Sequence, residues 1–139
     1  MPKMLTIAVD FDGTLVENHY PKIGKPILFA FETLKKLQQE GHQIILWTYR
    51  SGVKLEEAVE FCENKGIRFY AVNKSYPEEE FEEQLMSRKI LADVFIDDRN
   101  INGLPPWGEI YHQLVNSAAS EGELTKKSGG LLKIFKRLK

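Results

Sequence analysis

Four apolar runs, each cut short by polar residues, alternate with stretches whose apolar residues recur every three or four positions. The first run, Leu5-Thr6-Ile7-Ala8-Val9, is too short for a membrane span and rich enough in β-branched residues for a buried strand. Gln43–Trp47, Ile67–Val72 and Ala92–Ile96 read as three further strands. Between the first two, Ile27, Phe31, Leu34 and Leu37 mark a helix that starts at Pro26 and stops at Gly41. A second amphipathic helix spans roughly Lys54–Lys65 and ends at Gly66. Pro77 followed by Glu78, Glu79 and Glu80 predicts an acidic helix start, which continues to about Arg88. The turn Leu104-Pro105-Pro106 precedes a last core helix, from Trp107 to about Ala119. Val16–Lys25 reads as polar and irregular. Strands alternating with helices predict an α/β fold, a Rossmann-like parallel sheet of four to five strands with right-handed crossovers and flanking helices. Residues 1–120 form that core, and residues 121–139 a polar linker and a basic amphipathic carboxyl-terminal segment.

In open α/β sheets ligands bind at the carboxyl ends of the strands, beside the point where strand order reverses. The polar punctuation of this chain falls there, in Asp10-Phe11-Asp12-Gly13-Thr14, Thr48-Tyr49-Arg50, Asn73-Lys74 and Asp97-Asp98-Arg99. Strand side chains alternate faces, so Asp10 and Asp12 point the same way. Two carboxylates that close need a shared proton or a cation between them, and Mg²⁺ suits an all-oxygen ligand set. A helix–loop–helix calcium loop is excluded, because Thr14 and Pro21 stand where it requires an oxygen ligand and a Glu.

Composition narrows the partners. The 139 residues are 42% hydrophobic and 28% charged, as in a globular domain, with a net charge of −1. Six of the Lys and Arg residues lie in 126–139 without an acid, which leaves 13 basic against 20 acidic side chains, a net −7, in residues 1–125. A body that acidic excludes general nucleic-acid binding. The lone Cys62 excludes an internal disulfide and lies on an apolar stripe with Leu55, Ala58 and Val59. No apolar stretch precedes Asp10 long enough for a signal peptide, and none reaches transmembrane length, so a cytoplasmic protein is expected.

Asp10-Phe11-Asp12-Gly13-Thr14-Leu15 after a hydrophobic strand resembles the first motif of the haloacid dehalogenase superfamily of phosphohydrolases. Thr48, Lys89 and Asp97-Asp98 follow in the order of that superfamily's remaining motifs, and the resemblance covers about residues 4–115. It implies a Mg²⁺-dependent phosphatase in which Asp10 attacks phosphorus and becomes an aspartyl phosphate. Asp12 would then protonate the leaving oxygen and deprotonate the water that clears the intermediate. The cation would be held by the Asp10 carboxylate, the Asp12 carbonyl and one of Asp97 and Asp98, with Asp98 the preferred direct ligand. Thr48 would donate to a phosphate oxygen and Lys89 would bring positive charge. Lys89 is preferred to Lys74 because it stands just before an Ala-Asp strand, as in capless members of the superfamily. Gly13, Tyr49 and Arg50 are the further substrate-binding candidates.

The short Val16–Lys25 segment and the single helix expected in 73–89 leave no room for a cap domain, so a capless, minimal member is implied. A phosphorylated small molecule is the expected substrate, its site closed by a neighbouring copy in a homo-oligomer. Leu131, Ile134, Phe135 and Leu138 have helical spacing among Lys133, Lys136, Arg137 and Lys139. Such a segment can contact an anionic membrane, but packing on the acidic body of this chain or a sister subunit is the preferred reading. The alternatives are a phosphatase for nucleic-acid ends or phosphoproteins, and a non-catalytic phosphate-binding module. A response-regulator receiver would place its phosphorylated Asp after strand three, where this chain has Val72-Asn73-Lys74.

Overall fold

Strand β1 (Thr6–Val9) carries the densest apolar run near the start of the chain and lies inside the sheet of a computed structural model that describes residues 3–126. It pairs in parallel with β4 (Gln43–Leu46) on one side and with β6 (Val94–Ile96) on the other. A short β5 (Ala71–Val72) extends the sheet beyond β4, giving the order β5-β4-β1-β6. The chain therefore has an α/β fold with a four-stranded parallel sheet. Strand order reverses at β1, so the crevice beyond its carboxyl end is the switch point at which such sheets bind ligands.

Alternation along the strands sorts the core into two faces. Ile7 and Val9 of β1, with Ile44 and Leu46 of β4, pack among α1 (Ala30–Gln39), α2 (Gly52–Asn64) and α3 (Trp107–Lys126). These helices contribute Phe31, Leu34 and Leu37, then Ala58 and Cys62, then Trp107, Ile110 and Leu114. Burial pushes the Cys62 thiol up to about 12, which fits core packing and not reactivity. The opposite face is thinner, with Ala8, Ile45 and Ala71 under Ile90 and the half-buried Trp47, Tyr70, Ala92 and Phe95.

Several elements differ from the sequence reading. Val16–Lys25 is not irregular: β2 (Val16–His19) and β3 (Lys22–Pro26) form an antiparallel hairpin across Tyr20-Pro21. Buried Val16 anchors it against Pro26, while Glu17, Asn18 and His19 are exposed. Because Pro26 ends a strand, α1 begins four residues later, behind Phe29 in the left-handed region at φ 66°. Residues 77–88 form turns, not a helix. Their helical start signal has no apolar face behind it, since Phe81 and Leu85 are exposed, and five Glu residues crowd positions 78–83. At the other end α3 runs to Lys126, past the linker expected from residue 121. The basic segment 131–139 lies outside the described residues. Among the described residues no helix is long and apolar enough to cross a membrane.

Candidate active site

Two strand ends deliver the acids. The Asp10 amide donates to the carbonyl of Ile96 at 3.0 Å, which ties the end of β1 to the end of β6 and brings Asp10 beside Asp97 and Asp98. One carboxylate oxygen from each of the three lies within 4.8 Å of the others. All are half-buried, and together they could hold a metal ion; an all-carboxylate donor set favours a hard cation. Burial, reinforced by the charge of Asp97, pushes the Asp10 carboxyl up to about 7 in the absence of a cation.

Thr14 holds this cluster together, a role the sequence reading did not assign. Its buried hydroxyl accepts from the Asp98 amide at 3.0 Å. It shares its one proton between Asp10 Oδ2 at 3.0 Å and Asp98 Oδ1 at 3.3 Å. The Thr14 carbonyl accepts at 3.0 Å from the indole of Trp107, so α3 fixes the loop from behind. The carboxylate of Asp98 abuts Gly13, whose φ is +90° and whose missing Cβ leaves the space that this carboxylate fills. Gly13 thus shapes the acid cluster. Gly13→Ala should cost about 1–2 kcal/mol in backbone conformation alone and displace Asp98. In urea unfolding followed with and without Mg²⁺, its midpoint should fall and its cation-dependent rise should shrink; a wild-type rise would refute this placement.

Asp12 has a different environment. Its Oδ2 accepts from Arg50 Nε and its Oδ1 from Arg50 Nη2, both at 2.8 Å. The remaining guanidinium hydrogens go to the carbonyls of Pro21 and Lys54 from Nη1, at 3.2 and 3.3 Å, and of Lys22 from Nη2, at 3.0 Å. Arg50 therefore spends all five N–H groups inside the protein and is 1% exposed. It lies between the rings of Phe11 and Tyr20, with its carbon 5.1 and 5.2 Å from their centroids. The substrate-binding role expected for Arg50 is corrected accordingly, because it has no donor left for a ligand. It orients Asp12 and fastens the hairpin loop to the start of α2.

An open cavity of about 640 Å³ lies above these groups. Asp10, Asp12 and Asp97 line it from below, Thr48 and Trp47 from the end of β4, and Arg99 from beyond β6. Thr48 is placed by its neighbours: its amide donates to the Asn73 side chain at 2.8 Å and its hydroxyl accepts from the Arg50 amide at 3.2 Å. Asn73, at φ 56°, occupies the left-handed region to do so. Lys89 is exposed and Lys74 half-buried, and neither lines this cavity. The hairpin contributes Asn18 and Tyr20 to the rim, beside Tyr49. The approach of Asn18 and Tyr20 to the site depends on the two-residue turn between β2 and β3.

No protein-family model and no curated protein matches the chain. Among solved structures it is similar to a conserved protein from Bacteroides thetaiotaomicron, with 56% sequence identity and a TM-score of 0.77. The match covers 83% of this chain and 93% of that one. An identity that high over so much of both sequences places the chain in the family of that conserved Bacteroides protein.

Proposed function

We propose that the chain is a Mg²⁺-dependent phosphohydrolase of the haloacid dehalogenase type that cleaves phosphate monoesters through Asp10. The observation that carries this reading is the Asp10–Asp97–Asp98 cluster, of which Asp10 and Asp97 line the floor of an open cavity at the sheet's switch point. The three carboxylates would hold the cation, which when bound supplies countercharge to the phosphoryl oxygens. An oxygen of Asp10 attacks phosphorus, the bond from phosphorus to the leaving oxygen breaks, and that oxygen takes a proton from Asp12. Water then attacks phosphorus, gives its proton back to Asp12 and releases Asp10 together with inorganic phosphate. Arg50 holds Asp12 by both oxygens, so it fixes the direction from which that carboxyl reaches the leaving group. Thr48 lines the cavity opposite and suits a hydrogen bond to a phosphoryl oxygen.

The second reading is a cation-dependent phosphate-binding module without turnover, favoured by the position of Lys74 and Lys89 outside the cavity lining. Phosphate release from p-nitrophenyl phosphate and acetyl phosphate, with Mg²⁺ and with EDTA, decides between them. Release that needs the cation supports the hydrolase. Cation-dependent phosphate binding without release supports the module.

A further inference from the structure

We infer that the leaving group of the substrate carries a flat, uncharged aromatic ring of nucleobase size, stacked at the cavity mouth on Tyr49, with Tyr20 standing edge to face beside it. The inference rests on the phosphohydrolase reading and names the substrate class of that same site. A phosphoryl group bound at the acid cluster would fill only part of a cavity of about 640 Å³, which is within the range that encloses a whole small ligand. The remaining space is walled by rings. Trp47 and Tyr49 lie on either side of Thr48 at the end of β4, and Tyr20 comes across from the tip of the hairpin.

Tyr49 offers the open ring, and Tyr20 stands beside it at a steep angle. Tyr20 and Tyr49 meet edge to face, with centroids 6.3 Å apart and planes at 72°. Tyr20 is pinned from beneath by the guanidinium of Arg50, which is itself immobilised by five acceptors. Tyr49 is 91% exposed, so its ring is free to take a stacking partner from the cavity. Charge selects the rest of the leaving group. Asp10, Asp12 and Asp97 already crowd the floor, and Arg99 is the exposed cation on the rim, so a neutral ring fits where a second acidic group would meet carboxylates. Asn18 on the hairpin rim offers both a donor and an acceptor to the edge of such a ring. A nucleoside monophosphate has these features.

Adenosine 5′-monophosphate and ribose 5-phosphate share phosphate and sugar and differ by the base alone. Stacking of a base on an aromatic side chain predicts a kcat/KM for the nucleotide about 10–100-fold above that of the sugar phosphate. Tyr49→Ala, at a position too exposed to disturb folding, should collapse that ratio mainly through KM. Turnover of both compounds at equal kcat/KM, or a ratio that survives Tyr49→Ala, overturns the inference and leaves the phosphohydrolase reading standing. Turnover of neither, nor of acetyl phosphate, with Mg²⁺ present removes the phosphohydrolase reading and this inference with it.

Discussion

Asp10→Asn should abolish phosphate release, by on the order of 10⁴–10⁶, while making the cation-free protein more stable above neutral pH. The first effect follows from the proposed chemistry, because an amide has no charged oxygen to attack phosphorus. The second follows from the geometry whatever the chemistry is. Asp10 is buried beside Asp97, and its carboxyl is pushed from 3.8 up to about 7 in the folded chain. The folded state therefore keeps a proton that the unfolded state gives up between those values, so this group's contribution to stability declines as pH rises from about 4 to about 7. Above that range the full cost of an ionised Asp10 is present, and the Asn variant does not bear it. Below about pH 4 both states carry the proton and the cost disappears. Thermal melts of the two proteins in EDTA should diverge with rising pH, the variant melting higher. Added Mg²⁺ should raise the wild-type melting temperature and narrow the gap, since it stabilises only the form that binds it. A variant that is inactive and also less stable at pH 8 in EDTA would show that Asp10 serves the fold, and the acid cluster would lose its claim to be a strained site.

The local chemistry of that cluster was legible in the sequence, and its surroundings were not, for reasons that can be assigned residue by residue. β1 announces itself because Ile7 and Val9 face one layer of the core and Ala8 the other, so the run is apolar throughout and ends where Asp10 begins. Asp97 and Asp98 follow β6 in the same way, and parallel pairing of β1 with β6 then brings the acids together without further information. The hairpin was invisible because β2 and β3 bury little besides Val16 and the half-buried Ile23, so no period-2 pattern rises above the polar background. The acidic stretch after Pro77 carried a helix start signal but lacked an apolar stripe, and burial outweighs a start signal. Thr14 and Arg50 stand in plain view within motifs. Their roles depend on partners 84 and 38 residues away, and no local pattern encodes a contact that distant.

Arg50 leads to the second large effect. Arg50→Met should destabilise the protein by about 3–5 kcal/mol, a large part of the 5–15 kcal/mol typical of a single domain. The substitution keeps much of the apolar stem and its packing, so the loss is that of the guanidinium. Without it, Asp12 loses both charged hydrogen bonds and the carbonyls of Pro21, Lys22 and Lys54 lose their donors. The side chain of Asp12 is 13% exposed, so water restores only part of what is removed. Lysine is a poor substitute, since three donors on one nitrogen cannot span five acceptors arranged for a planar fork. Arg50→Lys should therefore recover less than half of the loss. The consequence is directional as well as energetic. The guanidinium joins Asp12 at the end of β1, the hairpin loop and the start of α2, so its removal should release the hairpin before the sheet. Amide exchange of residues 17–25 should quicken in Arg50→Met under conditions where the amides of β1 and β4 stay protected. Pairing Arg50→Met with Asp12→Asn should recover part of the stability, because the amide leaves no unpaired charge behind. A urea midpoint for Arg50→Met within experimental error of wild type, with hairpin exchange unchanged, would mean that the five bonds hold nothing that packing does not already hold.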